Sequence, residues 1–441
     1  MYQLMRRFHL LTGFFSSSMR QRRIYVGLVL TILIFILVVA VLLYVIKPTI
    51  SEPVDHKQKI IYFGETCDLE NNIVSLDYST GYQLAFSYLN KNGGVNGYNI
   101  KMILLNDNYE PEYAIKNARL LIDYYNVLAI IGGFGTATTI GILESAIGER
   151  PIPLVGPFSA ALVYRQHFNP YLVTTNTSFM SEFDLISESV VENGFHNISI
   201  VYQDDSYGHA FYDSYVTYII RNNLNINILT AGKYTRNSDD LDETMKTLFK
   251  NESPFDYSSY KSSEVKKIQA VIVFAAEKEI AEILGIIKKI NPEVAIYYNF
   301  FVGNNKSNIE YLNETNNKHV YQTLLSYSEI DQFPEMKSIL LPELEEHNSK
   351  SVKMRHSPTS SLIQGFYSGL MIGKVLANFK DMRELNRKTF LEMFYQMGTI
   401  DVFGLKMGPF VDKESNEAIR YAVLTHLQPN REFKIIKTKE I

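Results

Sequence analysis

Residues 127–139 read VLAIIGGFGTATT, and this stretch decides the fold class. Its first five residues, Val127–Ile131, are all apolar and predict a short buried strand. The glycines that follow predict a tight turn, and the threonines after them open a helix expected to reach about residue 147. A buried strand that leads through a short loop into a helix is half of a βαβ unit, which builds parallel sheets.

The same alternation continues on both sides of this stretch and falls into two series. Before residue 156 the sequence predicts strands at 59–63, 99–105, 127–131 and 152–155, with helices at 78–92, 112–125 and 136–147. After residue 179 it predicts strands at 198–202, 225–229, 270–274 and 295–298, with helices at 180–193, 209–221, 240–250 and 278–289. Helices at 361–379 and 387–397 and strands at 421–427 and 433–437 follow. The sequence therefore predicts an α/β protein with two lobes, each built on its own parallel sheet.

Composition supports a globular protein of two or three domains. The chain has 441 residues, of which 46% are hydrophobic and 20% are charged. Its 43 basic residues do not outnumber its 47 acidic residues, which excludes a dedicated nucleic-acid-binding protein. A single cysteine, Cys67, excludes an internal disulfide scaffold, a zinc finger and an iron–sulfur cluster. Cys67 could join two chains as a homodimer, but the sequence favours a small buried residue.

An apolar segment without charged residues, Ile24–Ile46, precedes the α/β part. As a helix it would be about 34 Å long, enough to cross a hydrocarbon core of about 30 Å. No small-residue cleavage site follows it, so the sequence predicts an uncleaved transmembrane signal anchor rather than a signal peptide. Five arginines precede the segment and only Lys47 follows it closely, which predicts that residues 1–23 are cytoplasmic and that the rest is extracellular or luminal.

The outer part carries several N-glycosylation sequons, which weakly support this topology. They lie at Asn176, Asn197, Asn251, Asn305 and Asn313. The predicted cytoplasmic tail is too short for a kinase or a cyclase domain. Any signalling or transport would therefore need a partner, such as an unidentified membrane protein.

Catalytic signatures are missing from the sequence, so we expect no enzyme, no metal and no cofactor. The histidines lack metal-ligand spacing. Residues Gly365–Gly369 read GFYSG, which is not the G-x-S-x-G order of a nucleophile elbow. Because these residues lie in an apolar helical pattern, they predict close helix packing instead. The glycines at 132–135 match neither a dinucleotide-binding loop nor a P-loop.

Two loops with hydroxyl groups point instead to ligand binding. Thr136 begins the predicted helix after one strand, and Ser159 lies in the loop after the next strand. Both loops leave the carboxyl edge of one parallel sheet, which is where open α/β sheets bind ligands. The start of a helix also favours an anion such as a carboxylate. The alternative is that the threonine only caps its helix.

Several segments in order resemble one family. The closer matches are Asn90–Gly97 (NKNGGVNG), Asn106–Pro111 (NDNYEP), Ile131–Thr139 (IGGFGTATT), Val155–Ala161 (VGPFSAA) and Val201–Gly208 (VYQDDSYG), and the weaker ones are Lys233–Asn237, Ala270–Ala275 and Phe300–Gly303. Over about residues 59–310 the chain resembles the type I periplasmic-binding-protein fold, in particular the branched-chain amino-acid substrate-binding proteins of ABC transporters. The same fold forms the ligand-binding domains of cell-surface receptors.

The resemblance implies a two-lobed clamshell of two parallel sheets flanked by helices, with three crossovers between the lobes. It places the first lobe at 59–176 and 304–409 and the second at 177–303 and 410–441. A cytoplasmic tail (1–23), the transmembrane anchor (24–46) and a tether (47–58) would precede them.

The resemblance also implies a ligand site between the lobes, formed by Thr136, Ser159, Ala160, Tyr207 and Glu279. Thr136 matches a position that binds the carboxylate of an amino acid, and Ser159 and Ala160 match a second contact segment. Tyr207 matches an aromatic residue that closes over the ligand, although it could simply form a turn before a helix. Glu279 matches the acid that pairs with the ammonium group, although it could be a solvated acid at a helix start.

Two functions follow as hypotheses. The first is a membrane-anchored solute-binding protein or receptor ectodomain that binds an amino acid or a similar small molecule. The second is a surface glycoprotein that keeps the fold for protein interaction or attachment without a small ligand. The sequons, the Asn-rich insertions and Ala160, which stands where a hydroxyl is common, are compatible with the second, whereas the hydroxyls of Thr136 and Ser159 argue against it. The segment Glu65–Asn72 is not the usual small, glycine-containing stretch, so its contacts are not assigned.

Overall fold

The computed structural model describes residues 28–35, 52–148, 150–236, 241–249, 267–302, 319–327, 329–351, 354–430 and 432–440. Residues 28–35 are helical, and the rest of the predicted anchor at 24–46 lies outside the described residues. Within the described part of the chain, no helix combines the length and the apolar character that a membrane crossing needs. Residues 52–441 form a compact unit of their own, which contains both sheets.

The first sheet is built from six strands, and all but one of its pairings are parallel. The strands are β1 (Val54–Asp55), β2 (Ile60–Cys67), β3 (Asn99–Asn106), β4 (Ala129–Ile131), β5 (Leu154–Val155) and β6 (Leu172–Val173). They run in the order β3-β2-β4-β5-β6, with β1 antiparallel to the start of β2. The helices between them are α1 (Ile73–Lys91), α2 (Pro111–Asp123) and α3 (Thr136–Gly141), the last continued by a wider helical turn at Ile142–Ile147.

The second sheet begins with a similar alternation. Its helices are α4 (Phe179–Glu192), α5 (Ser206–Arg221), α6 (Asp242–Phe249) and α7 (Glu277–Ile290). Its strands are β7 (Asn197–Gln203), β8 (Asn227–Tyr234), β9 (Ala270–Phe274), β10 (Ala295–Tyr298) and β11 (Val320–Leu324). These five strands are parallel, and β9, β10 and β11 are buried along their whole length, whereas the edge strand β8 is partly exposed.

The chain then passes back to the first lobe before it completes the second sheet. Helices α8 (Pro334–Lys350) and α9 (Ser360–Ala377) pack on α1, and α10 (Arg387–Met397) and the hairpin of β12 (Ile400–Val402) and β13 (Leu405–Met407) follow. Strands β14 (Tyr421–Leu427) and β15 (Phe433–Glu440) then join β11 in antiparallel fashion. The predicted α/β architecture of two sheets is confirmed, but the second sheet is mixed rather than wholly parallel.

The predicted lobe boundaries stay predictions, with one difference in detail. The range 304–409 was expected in the first lobe, yet its strand β11 pairs with β10 in the second sheet. The sequence prediction contains no strand at 320–324, although VYQTL has no charge and suits a buried strand. Helix α8 was also missed, because its apolar pattern is weak and Pro342 lies inside it.

The first lobe depends on an unusually close contact between α1 and α9. Gly81 and Gly365 face each other, and a Cβ atom built on Gly365 would lie 2.0 Å from the carbonyl oxygen of Tyr78. A Cβ atom on Gly81 would lie 2.2 Å from the carbonyl oxygen of Leu362. The two backbones therefore touch directly. The interpretation of Gly365–Gly369 as a helix-packing segment is confirmed.

Candidate functional site

Thr136 and Ser159 are brought together at the carboxyl edge of the first sheet. Their loops pair through backbone hydrogen bonds that involve Phe158: its N–H donates to Gly133 at 2.8 Å, and its carbonyl accepts from Gly135 at 3.2 Å. The hydroxyl groups of Thr136 and Ser159 then share a hydrogen bond of 2.7 Å, and both side chains are fully buried. Two residues 23 positions apart thus form one polar pair at the sheet edge where the sequence placed both loops.

The start of α3 leaves the hydroxyl of Thr136 available for such a pair. The residue that caps the helix is Gly135, at φ +106°, and it makes no side-chain capping bond. A Cβ atom at Gly135 would lie 2.3 Å from the ring of Tyr109, so glycine is needed there for space as well as for conformation. Thr138 and Thr139 donate their hydroxyls back to the carbonyl of Gly135. Thr136 therefore is not a helix cap, contrary to the alternative considered above.

Tyr207 is anchored at the start of α5 in the second lobe. Asp205 caps this helix by accepting hydrogen bonds from the backbone N–H groups of Tyr207 and Gly208. The Tyr207 hydroxyl accepts a short hydrogen bond from the side-chain amide of Asn299 and lies 3.4 Å from the carbonyl of Ala275. The ring is fully buried. The Tyr207 side chain is thus held in place inside the protein and is not a turn residue exposed to solvent.

A cluster of aromatic rings includes Tyr207 and the two phenylalanines, Phe134 and Phe158, of the loops that carry the hydroxyl pair. We call it the aromatic cluster, and it consists of Phe134, Phe158, Tyr207, Phe300 and Phe301. The Phe301 ring lies 4.5 Å from that of Phe134, 5.6 Å from that of Phe158 and 4.8 Å from that of Tyr207, centroid to centroid. All five side chains are buried. The two lobes are therefore closed on each other at this point through aromatic contacts.

Polar side chains also join the lobes beside the aromatic cluster. The guanidinium of Arg236, at the end of the second-lobe strand β8, donates to Glu110 of the first lobe at 3.0 Å and lies over the ring of Tyr109 at 5.1 Å. The side-chain amide of Gln203 donates to the Tyr109 hydroxyl at 3.3 Å. Asp205 lies 3.6 Å from the same guanidinium. The closed arrangement is thus held by charge as well as by apolar contact.

Glu279 and Ala160 have different surroundings. Glu279, in the first turn of α7, is only 3% exposed, so it is not a solvated acid. Burial raises the pKa of the Tyr109 hydroxyl well above its usual range, and the nearby carboxylates of Asp205 and Glu279 add to this rise. The charge of Glu279 thus acts on a residue of the first lobe. Ala160 is buried, and its carbonyl accepts a hydrogen bond from the N–H of Phe179. Because alanine has no hydroxyl, its side chain can form no hydrogen bond with a ligand.

Comparison with known proteins agrees with this geometry. Residues 71–248 match the family model described as periplasmic binding protein. This is a type I periplasmic-binding-protein fold. The fold inferred from the sequence is confirmed, and no curated protein sequence matches the chain.

Solved structures similar to this fold include three whose titles describe amino-acid-binding proteins. A possible leucine/isoleucine/valine-binding protein from Rhodopirellula baltica is 18% identical, with a TM-score of 0.70 over 88% of this chain and 98% of that one. A branched-chain amino acid transporter substrate-binding protein from Streptococcus pneumoniae, in complex with isoleucine, is 14% identical, with a TM-score of 0.66 over 87% and 99%. A Thermus thermophilus branched-chain amino acid ABC transporter protein with bound valine is 11% identical, with a TM-score of 0.69 over 86% and 96%.

Two acids, Glu65 in β2 and Asp107 in the loop after β3, are buried at the carboxyl edge of the first sheet, and the sequence analysis gave neither a role. Glu65 accepts hydrogen bonds from the Ser79 hydroxyl at 2.6 Å and from the N–H of Gly133 at 3.3 Å. Asp107 accepts from the Thr66 hydroxyl and from the N–H of Tyr109. Burial raises the pKa of each carboxyl group to about 7. Glu65 thus holds the backbone of the loop that leads to Thr136, and Asp107 holds the backbone at Tyr109, so both are positioning groups.

Arg165 is the second group that the sequence analysis missed. Its guanidinium donates to the carbonyl of Ser159 at 3.1 Å, to the side-chain oxygen of Asn176 at 2.7 Å and to Glu417 at 2.6 Å. Thr174 also accepts from it. The segments 174–177 and 408–420 join elements of the first sheet's lobe to elements of the second sheet, so Arg165 links the Ser159 loop to both segments. A lone arginine in a loop carries no local signal of such a role.

Glu182 supports the turn that carries Phe300 and Phe301. It lies in α4, is fully buried, and accepts hydrogen bonds from the N–H of Phe300 at 3.1 Å and, at short range, from the Thr323 hydroxyl. Burial raises the pKa of its carboxyl group to about 8. At neutral pH the folded protein therefore holds Glu182 mainly in its neutral form.

This burial predicts a pH-dependent stability. Glutamate in an unfolded chain has a pKa of about 4.3, so between about pH 4.5 and pH 8 only the folded state keeps the proton on Glu182. Stability is therefore greatest at the acidic end of this range and falls as the pH rises, by about 1.4 kcal/mol per pH unit for one such group. Urea unfolding at pH 5, 6, 7 and 8 should show a smaller fall for Glu182→Gln than for the wild type. Parallel curves for the two proteins would contradict the assignment.

Cys67 and Asn176 are both buried, which bears on two sequence hypotheses. Cys67 is 1% exposed at the end of β2, and burial raises the pKa of its thiol well above the usual range. This is the small buried residue that the sequence favoured. Asn176 is fully buried against Arg165 and is closed to a glycan in the folded state. Asn197 begins β7, and the sequons at 251, 305 and 313 lie outside the described residues.

A cavity of about 570 Å³ lies elsewhere, at the opposite edge of the first sheet. Pro151, Tyr171, Leu391 and Tyr395 are among the residues that line it. Pro151 and Tyr171 precede β5 and β6, so the cavity lies at the amino ends of these strands. Open α/β sheets bind their ligands at the carboxyl ends instead, which favours the hydroxyl pair as the site.

Proposed function

We propose that this chain is an extracellular solute-binding protein that holds an amino acid or a similar small molecule between its two lobes. The observation that carries the proposal is the buried hydrogen bond between the hydroxyls of Thr136 and Ser159. It lies at a helix start without a side-chain cap and opposite Tyr207 of the second lobe. Hydroxyls at a helix start are suited to a carboxylate, because backbone N–H groups and the helix dipole favour negative charge there.

The remaining contacts would complete the recognition of a zwitterion. The carboxylate would bind Thr136 and Ser159, the ammonium group would pair with Glu279, and Tyr207 would close over the ligand. Such a ligand touches both lobes only when they are closed, so it stabilises the closed state by its differential affinity. The bound isoleucine and valine named in the titles of two similar structures support an amino acid as the ligand class. We propose binding without catalysis.

Residues 24–46 would anchor the protein in a membrane, with 1–23 in the cytoplasm and 47–58 as a tether. The support is the uncharged segment of this length and the arginines before it. The rest of the chain would be extracellular or luminal. A membrane partner would receive the ligand or the signal.

The aromatic cluster favours a second candidate, a surface glycoprotein that uses the fold for protein attachment without a small ligand. Phe301 already packs between Tyr207 and Phe134, which lies in the loop that leads to Thr136. A lobe interface packed by its own side chains needs no ligand to stay closed. Of the sequons in the described residues, only Asn197 would be open to a glycan.

Thermal unfolding of the full chain in detergent, in the presence of each of the twenty amino acids, tests the first candidate. A ligand at a hundred times its dissociation constant should stabilise the folded state by about 2.7 kcal/mol and raise the melting temperature. The double variant Thr136→Ala/Ser159→Ala should lose this shift. The control is Thr139→Ala, whose hydroxyl bonds only within its own helix, and it should keep the shift. If no amino acid changes the melting temperature, the attachment candidate is favoured.

A further inference from the structure

Phe301 occupies the centre of the aromatic cluster. It belongs to the short helical turn Phe300–Val302 that follows β10, and its side chain is fully buried. Its ring contacts Phe134 and Phe158 of the first lobe and Tyr207 of the second, at centroid distances between 4.5 and 5.6 Å. It is thus a second-lobe side chain inserted against both loops of the proposed ligand site.

The neighbours of Phe301 are also the neighbours of the proposed ligand contacts. Phe134 lies two residues before Thr136, and Phe158 lies immediately before Ser159. Any ligand bound to those two hydroxyls and covered by Tyr207 must share this space with the Phe301 ring. Protein interiors are close-packed, so a few additional carbon atoms fit only if a neighbouring side chain moves.

The turn that carries Phe301 is held from two directions, which makes such movement costly. Glu182 accepts the backbone N–H of Phe300, and Asn299 donates its side-chain amide to the Tyr207 hydroxyl. The Phe300 ring packs on Phe158 at 5.3 Å. Displacing the Phe301 ring by moving this turn would break these contacts of Asn299 and Phe300, and it would expose a large apolar ring to water.

We infer that Phe301 determines the ligand class of the proposed site, restricting it to amino acids with small side chains such as glycine, alanine and serine. This inference rests on the proposed amino-acid-binding function and makes it more specific. It sets this chain apart from the similar structures whose titles name isoleucine, leucine or valine. Leucine, isoleucine and phenylalanine are excluded because their side chains compete with the Phe301 ring for one space.

Isothermal titration calorimetry and thermal unfolding of the full chain test this with glycine, alanine, serine, leucine, isoleucine and phenylalanine. The wild type should bind the first three at least tenfold more tightly than the last three. Phe301→Ala should reverse this order, because the space left by the ring admits a large side chain. Phe301→Leu, which leaves a smaller gap, should give an intermediate order and serves if the alanine variant does not fold.

Phe390→Ala is the matched control. Phe390 is equally buried but packs in the first-lobe core, on Phe63 and Phe394. This variant should melt at a lower temperature while its order of ligand preference stays that of the wild type.

The outcomes separate the inference from the function on which it rests. If the wild type binds leucine or phenylalanine as tightly as alanine, or if the Phe301 variants keep the wild-type order, the inference is overturned and the binding function stands. If no amino acid binds to the wild type or to either Phe301 variant, the proposed function fails and the inference fails with it.

Discussion

Gly365→Ala is expected to lower the free energy of unfolding by about 3 kcal/mol, the upper end of the usual cost of overpacking. The added methyl group would lie 2.0 Å from the carbonyl oxygen of Tyr78 and 3.2 Å from the Cα atom of Gly81. Both obstacles are backbone atoms, so α1 and α9 can accept the methyl group only by moving apart. Separating these helices loosens the contact on which the first lobe depends.

Gly373→Ala in the same helix is the matched control for this effect. There a Cβ atom meets only the end of the Leu89 side chain, at 2.5 Å, which can turn away. Because alanine also favours a helix over glycine by about 1 kcal/mol, we expect little net change. Urea unfolding followed by circular dichroism measures both. Equal losses of stability at the two positions would show that the clash with the Tyr78 backbone is not decisive.

Arg165→Met should also cost about 3 kcal/mol, for a different reason. The Arg165 side chain is 6% exposed, and its removal leaves the carboxylate of Glu417 and the oxygens of Ser159 and Asn176 without their donor. Breaking a buried ion pair by removing one partner costs about 3–5 kcal/mol, and the partial exposure of Glu417 places the expected value at the low end. Because the Ser159 carbonyl loses its hydrogen bond from Arg165, the loop that carries Ser159 is less well positioned, and the affinity for the ligand should fall as well.

The comparison for Arg165 is Arg383→Met. Arg383 pairs with Asp381 in a similar ion pair, but its side chain is 83% exposed. Ion pairs exposed to solvent add little to stability, so the free energy of unfolding of Arg383→Met should equal that of the wild type within error. Chemical unfolding of both variants and of the wild type at the same pH checks the prediction. It is wrong if Arg165→Met unfolds at the wild-type urea concentration.

Local apolar runs predicted most of the fold. The strands at 270–274, 295–298 and 421–427 and the helix at 387–397 have the bounds expected from the sequence. Errors arose where the pattern is interrupted. Helix α1 begins at Ile73, five residues before its predicted start, because Asn72 caps it through a polar stretch that resembles a loop.

The sequence could predict only the part of the candidate site that is formed by loops after neighbouring strands. Thr136 and Ser159 meet because consecutive parallel strands end at one sheet edge, a rule that needs no distant contact. Phe301 and Arg165 act across far larger separations, and Arg165 and Glu417 are 252 residues apart. No local sequence pattern predicts such a contact. It depends on where the chain crosses between the lobes, which only the three-dimensional structure shows.

The return of the chain to the second sheet has a consequence for biosynthesis. Strands β14 and β15 complete this sheet from the last 21 residues of the chain, and α9 reaches α1 only after residue 360. A ribosome that has released the first 350 residues has therefore made neither lobe in a form that can bury its core. Both lobes must wait for segments after residue 350, so their folding is coupled in time and their apolar surfaces stay open to chaperones until these segments have been made.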